Sequence, residues 1–150
     1  MLSVEIQNID SVILNEELII NAAKTAYLAT ATDLAECTIR IVGIDEGREL
    51  NHSFRQKNKP TNVLSFTYED DDPESDMDYL GDIVLCYPIV QKESAEQGKT
   101  VEHHWMHLVV HGVLHLCGYD HEKTAEAEEM EQLEVEILAK LNVNNPYLSA

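Results

Sequence analysis

The chain has few basic residues and no long apolar run. Lysine and arginine together number 10, against 28 aspartates and glutamates, which gives a net charge of −18 at pH 7. Proteins that bind nucleic acids usually carry a basic surface, so this charge argues against a general nucleic-acid binder. No apolar stretch approaches the ~18–20 residues of a membrane span, which argues against an integral membrane protein.

Cysteine is also scarce, and its pattern argues against a disulfide framework. The three cysteines, Cys37, Cys86 and Cys117, form no C-x-x-C pair, and their odd number suits free thiols in a reducing cytoplasm. The N-terminal segment lacks the basic start of a signal peptide. We therefore expect a cytoplasmic protein, and the 150 residues with 44% hydrophobic content predict one domain over residues 1–150.

The hydrophobic pattern predicts an α+β fold. Four apolar or β-branched runs predict strands, and the fourth is nearly continuous in apolar residues, so we expect it inside the sheet. Five segments have helical periodicity, with Asn15 and Asp45 as caps of the first two. The last segment predicts a packing helix with its glutamates in solvent. The expected architecture is a four-stranded mixed sheet covered by helices. The strands are predicted at 2–7, 36–42, 62–68 and 81–87, and the helices at about 16–31, 45–55, 88–97, 100–117 and 123–141.

The strongest chemical signal is the segment HGVLHLCGYDH at 111–121. His111 and His115 are one helical turn apart, so their Cβ atoms should lie about 5–6 Å from each other on one face. Gly118 suits the left-handed conformation that ends a helix, and the turn would bring His121 back toward the same face. Three imidazoles leave one tetrahedral position for water, which is typical of a catalytic zinc site.

The motif lacks the glutamate of related peptidase motifs, and this absence limits the reactions that its metal site could catalyse. The spacing agrees with the H-E-x-x-H-x-x-G-x-x-H pattern of metallopeptidases, but Gly112 stands where those enzymes have a general-base glutamate. Without a carboxylate ligand the metal keeps its full charge, which favours an anionic substrate such as a phosphodiester. The missing side chain at Gly112 also predicts a close approach of the helix to the sheet.

Other interpretations of these side chains stay open. A hydrogen-bonded polar cluster without metal would use the same histidines. His107 lies one turn before His111, where it would line the site, support a ligand or simply be solvated. Cys117 lies about 200° around the helix from His115, so we expect its thiol to point into the core.

Two charged segments lie in the middle of the chain. Four of the ten basic residues fall within 48–59 and form either an anion-binding lip or an ordinary exposed helix end. Seven acidic residues occupy 69–78. We expect this run to be a solvated loop that supplies no metal ligand and repels RNA at long range.

Three segments carry a resemblance to a known family. FRQKNKPTNVLSF at 54–66, LGDIVLCYP at 80–88 and the histidine motif resemble the YbeY family of bacterial metal-dependent endoribonucleases. The resemblance implies a zincin-like fold with the metal site on a helix plus the following turn. It also implies one zinc ion on His111, His115 and His121, and a functionally important arginine at Arg55.

The activity that this resemblance implies is cleavage of single-stranded RNA. The family matures ribosomal RNA, including the 3′ end of 16S RNA, and acts in ribosome quality control, so the implied partners are the ribosome or ribosomal proteins. We assign catalysis to Arg55, whose planar fork matches phosphate oxygens, and to the metal ligand His111. His107 and Asp120 are the candidates for proton transfer, and the nucleophile is either water or the RNA 2′-hydroxyl. Imidazole sites accept Ni²⁺ and Cu²⁺ as well as Zn²⁺.

Two other classes of function use the same residues. A metallopeptidase or amidohydrolase would have the same three ligands but needs a base that the motif lacks. A non-catalytic zinc-binding, ribosome-associated factor would instead saturate its metal with four protein ligands.

Overall fold

One mixed sheet lies at the centre of the fold. The computed structural model describes residues 1–8, 10–55, 62–67, 78–119 and 124–147. Its strands are β1 (Leu2–Asn8), β2 (Ala35–Val42), β3 (Val63–Thr67) and β4 (Asp78–Cys86). They lie in the order β1-β2-β4-β3; β1, β2 and β4 are parallel, and β3 is antiparallel to β4 at the edge. The predicted internal position of the fourth strand is therefore confirmed.

Five helices in the described part of the chain surround the sheet, and local signals fix where several of them begin. The side chain of Asn15 accepts a hydrogen bond from the backbone N–H of Leu18, as predicted, and Thr100 caps the fourth helix in the same way. Asp45 lies inside the first turn of its helix, so its predicted role as the cap is wrong. The helices are α1 (Glu16–Leu28), α2 (Ile44–Arg55), α3 (Tyr87–Glu96), α4 (Val101–Leu116) and α5 (Thr124–Lys140).

The two faces of the sheet are covered unequally. Alternate residues of the central strands, such as Ile39 and Ile83, join a large core with the apolar sides of α1, α4 and α5. The residues between them, such as Val42 and Val84, form a smaller cluster with Leu50 of α2. Because side chains alternate across a strand, one sheet supports both clusters. The helix that carries the histidine motif thus rests on the larger core.

Gly112 brings α4 unusually close to β4. A Cβ atom placed on Gly112 would lie 2.9 Å from Cγ2 of Ile83, which is closer than real Cβ contacts. The close approach predicted from this glycine is therefore confirmed. Because α4 is held against the sheet here, its rotation about its own axis is fixed, and with it the direction of the histidine side chains.

The structure confirms the expected α+β class with a four-stranded mixed sheet. Its zincin-like character stays a prediction. Cys37, Cys86 and Cys117 are free thiols, as expected. Across the described ranges, no helix has both the length and the apolar character needed to cross a membrane.

Candidate metal centre

Four histidines form a stripe along one face of α4. His103, His107, His111 and His115 follow each other at intervals of four residues, so each lies about one turn from the next. The ring centroids of His111 and His115 are 4.7 Å apart, and those of His107 and His111 are 6.5 Å apart. The two predicted ligands on the helix are therefore neighbours, although their role as ligands stays a prediction.

The end of α4 has the geometry that the sequence predicts. Gly118 has a φ of 101°, in the left-handed region that favours glycine. Its backbone N–H donates to the carbonyl of His115, and the N–H of Tyr119 donates to the carbonyl of Leu114. This pair of bonds is a Schellman motif, which satisfies the last carbonyls of the helix and turns the chain.

Other predicted site residues lie beyond the described structure. His121 and Asp120 fall in the segment 120–123, which is outside the described residues. Arg55 is the last residue of α2, and the contacts of its side chain are likewise outside. Among the residues that are described, no group of three or more His, Cys, Asp or Glu is arranged to hold a metal ion. The three-histidine site therefore stays a prediction.

A buried carboxylate contacts one of the predicted ligands. Glu134 of α5 has no solvent exposure. Its Oε1 is hydrogen-bonded to Nδ1 of His111, and its Oε2 accepts a hydrogen bond from the hydroxyl of Tyr147. Nε2 of His107 lies 3.6 Å from Oε2 and 3.3 Å from the same hydroxyl. Two elements, α5 and the C-terminal segment, are thus joined to the histidine stripe through one carboxylate.

These contacts keep Glu134 ionised despite its burial. Burial alone would raise the pKa of a carboxyl group, but the hydrogen bonds with His111 and Tyr147 and the nearby ring of His107 outweigh it and lower the pKa of Glu134 to about 2. Burial and the adjacent carboxylate raise the pKa of Tyr147, so its hydroxyl stays a donor. The network therefore places a full negative charge beside the imidazole of His111.

The expectation that the glutamates of the last helix all face solvent is wrong for Glu134. This residue lies four positions after the buried Met130 and three and four before the buried Ile137 and Leu138. It therefore belongs to the apolar stripe of α5. The burial of Glu134 could have been predicted from the sequence, because a glutamate here occupies an apolar position of an amphipathic helix.

A cavity adjoins the same network. It has a volume of about 430 Å³ and lies between the N-terminal half of the histidine stripe and the C-terminal segment. His103, His107, Lys99 and Tyr147 line it, together with residues 143–146. This volume falls in the range of small-molecule sites.

A second histidine and glutamate meet nearby. His104 lies two turns before His111 on α4, and its ring centroid is 6.2 Å from that of His107. Nε2 of His104 lies 3.0 Å from Oε1 of Glu93 in α3, and Asn62 donates to the same oxygen at 3.0 Å. His104 itself is buried. Burial lowers the pKa of His104, although the bond to Glu93 acts in the opposite direction. The pair joins the start of β3 to α3 and α4.

Cys117 packs against the core, as predicted. Its thiol accepts a hydrogen bond from the hydroxyl of Thr30, after α1, at 3.4 Å. Burial raises the pKa of Cys117, which disfavours the thiolate that a metal would bind.

The chain is similar over most of its length to proteins that are described as endoribonucleases. The family model described as Endoribonuclease YbeY matches residues 4–142. An Endoribonuclease YbeY of Stutzerimonas stutzeri is 49% identical to this chain, and the match covers 87% of this chain and 91% of the relative. One of Pseudomonas putida is 56% identical, covering 75% of this chain and 72% of its own. The solution structure of a Thermotoga maritima protein has a TM-score of 0.61 and 26% identity, covering 99% of this chain and 97% of its own.

Proposed function

Because this chain belongs to the Endoribonuclease YbeY family, we propose that it is a metal-dependent endoribonuclease that cleaves single-stranded RNA during ribosomal RNA maturation. Its substrate is the RNA phosphodiester bond, and the 3′ end of 16S ribosomal RNA is the expected site of action. We place the protein in the cytoplasm, as one domain over residues 1–150.

The observation that carries the proposal is the pair of imidazoles on α4. The rings of His111 and His115 are 4.7 Å apart between centroids, and Nδ1 of His111 contacts the buried carboxylate of Glu134. Histidines that bind metals commonly donate their other ring N–H to a carboxylate. This contact supports a metal ion beside His111, and we propose His111, His115 and His121 as its ligands.

Zinc is our first candidate for the ion, because three imidazoles with one open position are typical of catalytic zinc. Such an ion supplies Lewis acidity toward a phosphate oxygen and lowers the pKa of water. Ni²⁺ or another divalent ion would also accept imidazole ligands.

Arg55 is assigned to the substrate and not to the metal. Its guanidinium would bind the scissile phosphate through two hydrogen bonds and offset the charge that develops during cleavage. An unstacked strand reaches a metal site on a helix face more easily than a duplex does.

The peptidase alternative is not favoured by the packing at Gly112. Metallopeptidases of this spacing carry their general-base glutamate at the corresponding position. Here even a Cβ atom would meet Ile83 of β4 at 2.9 Å. A longer side chain would have to displace the helix from the sheet before it could act as a base.

The charge of the chain bears on how it reaches RNA. At a net charge of −18 the protein is repelled by free RNA at long range. We therefore propose that the ribosome or ribosomal proteins bring enzyme and substrate together.

The test is a cleavage assay with metal-stripped and zinc-reloaded protein on unpaired and duplex RNA. We expect cleavage of the unpaired RNA by the reloaded protein alone. A His115→Ala protein purified in parallel controls for contaminating nuclease. His103→Ala removes a histidine of the same stripe that is not a proposed ligand, so it controls for a general effect of changing a histidine on this face.

Two results would overturn the proposal. One is equal cleavage by wild-type and His115→Ala preparations, since the activity would then come from a contaminant. The other is hydrolysis of casein or acyl-peptides by the reloaded protein with RNA left intact, which would favour the peptidase.

A further inference from the structure

Glu134 is an unusual residue for the core that it occupies. It is the only Asp or Glu among the buried residues of the described part of the chain. Removing an ionised carboxylate from water costs several kcal/mol, and a well-packed apolar side chain is often more stabilising at such a position. A helix whose only task is packing would therefore be better served by leucine. The cost of burying Glu134 calls for a reason other than stability.

The contacts of Glu134 are divided between its two oxygens. Oε1 contacts Nδ1 of His111, while Oε2 accepts from Tyr147 and lies 3.6 Å from Nε2 of His107. Each oxygen thus has its own partner. The contact with Tyr147 orients the carboxylate, and the oriented carboxylate meets the imidazole at one nitrogen.

This geometry selects one form of the His111 ring. An ionised carboxylate only accepts hydrogen bonds, so the contact with Oε1 requires the proton of a neutral His111 to lie on Nδ1. Nε2 is then the nitrogen whose lone pair is available for coordination chemistry. The same bond restricts rotation of the ring and increases its basicity.

We propose that Glu134 is the positioning residue of the metal centre, fixing the tautomer and orientation of His111, and that Tyr147 holds Glu134 in place. This inference rests on the proposed function for the presence of a metal. It makes the affinity of the site depend on α5 and on the C-terminal segment. Neither element is assigned a ligand.

The first measurement tests the tautomer in metal-free protein. Long-range ¹H–¹⁵N correlation spectra distinguish the protonated ring nitrogen of each histidine, and His111→Gln identifies the signals of His111. We expect the proton on Nδ1 in the wild-type protein. A proton on Nε2 would overturn the proposal, because Glu134 would then not be accepting from the ring.

The second measurement compares metal affinity between two matched variants. Glu134→Gln keeps the shape of the side chain and removes its charge, and Glu93→Gln makes the same change in the contact with His104. Competition titration against a chromophoric chelator should give about 10–100-fold weaker zinc binding for Glu134→Gln and wild-type binding for Glu93→Gln. Equal affinities in the two variants would overturn the proposal.

A third variant guards against misfolding of Glu134→Gln. Tyr147→Phe removes one hydroxyl from a side chain that is 44% exposed, so the fold should tolerate it. We expect it to weaken zinc binding less than Glu134→Gln does. The metal-free protein should still unfold cooperatively, at a lower urea midpoint, because a buried oxygen of Glu134 loses its donor. Wild-type zinc affinity in Tyr147→Phe would refute the role of Tyr147.

The measurements separate this inference from the proposed function, because none of them uses RNA. Normal zinc binding without RNA cleavage would leave the role of Glu134 intact and overturn the proposed function. If the wild-type protein bound no metal, the metal centre and its positioning residue would fall together.

Discussion

Two histidines of α4, His104 and His111, each contact a glutamate of a neighbouring helix, but the burial of the partners is reversed. In the pair of His104 and Glu93, the side chain of the histidine is 3% exposed and that of the glutamate 28%. In the pair of His111 and Glu134, the histidine is 23% exposed and the glutamate 0%. The glutamate is therefore the more exposed partner in the first pair, and the histidine is the more exposed partner in the second.

This reversal separates a packing role from a binding role. A buried imidazole with an accessible carboxylate has no route to an external ligand, and its hydrogen bond satisfies a polar group inside the core. A buried carboxylate with a partly exposed imidazole allows ligand binding. The carboxylate orients the ring through one nitrogen, and the rest of the ring stays accessible to solvent. The exposure of the two partners, rather than the presence of the pair, is therefore the reason that we propose a ligand at His111 and not at His104.

The largest expected effect comes from removing the imidazole beside the pair of His111 and Glu134. His115→Ala should lose most zinc binding, because it removes one of three proposed ligands. His104→Gln changes the histidine of the other pair, and we expect this variant to bind zinc as the wild type does. Isothermal titration with zinc measures both. Wild-type stoichiometry and affinity in His115→Ala would show that the three-histidine site is wrong.

Arg55 belongs to neither pair and separates metal binding from chemistry. Arg55→Ala should retain zinc but cleave RNA roughly 10²–10³-fold more slowly, which is the scale for losing one donor to the transition state. Arg55→Lys should recover little, because a point charge does not reproduce the two-pronged contact. Cleavage rates at saturating RNA together with zinc content test this. Loss of zinc from Arg55→Ala, or normal cleavage, would remove Arg55 from its proposed role.

The sequence predicts the parts of this comparison that depend on local signals. Asn15 caps its helix, Gly118 ends α4, and Gly112 allows contact with β4, because each effect acts within a few residues or follows from a missing side chain. The spacing of His111 and His115 likewise requires only a helix. These features follow from backbone geometry, which a short segment specifies.

The sequence does not predict the two glutamate contacts, because they join separate helices. His111 and Glu134 are 23 residues apart, and His104 and Glu93 are 11 apart. An acidic helix such as α5 offers many glutamates, and only tertiary packing determines which partner the buried one contacts. Tyr147 is harder still to predict, since its contact with Glu134 depends on the path of the chain after α5.

Breaking the pair of His104 and Glu93 should affect stability and leave the metal site unchanged. Glu93→Ala removes the partner of a buried Nε2 and one acceptor of Asn62, so we expect a loss of about 1–3 kcal/mol in the free energy of unfolding. Urea unfolding of metal-free protein measures the loss. A stable Glu93→Ala protein with weakened zinc binding would mean that the two pairs do not have separate roles.

The smallest expected effect is a pH dependence that comes from His104 alone. Burial lowers the pKa of His104 below 6.5, Glu93 acts against that change, and Lys99 and His107 add to it. The unfolded chain therefore takes up a proton first as the pH falls, so this contribution to stability is complete above about pH 6.5 and decreases below it. The urea midpoint should thus fall more between about pH 8 and about pH 5.5 in the wild type than in His104→Gln. Equal falls in the two proteins would show that His104 does not titrate differently on folding, and the contrast between the two histidines would then rest on exposure alone.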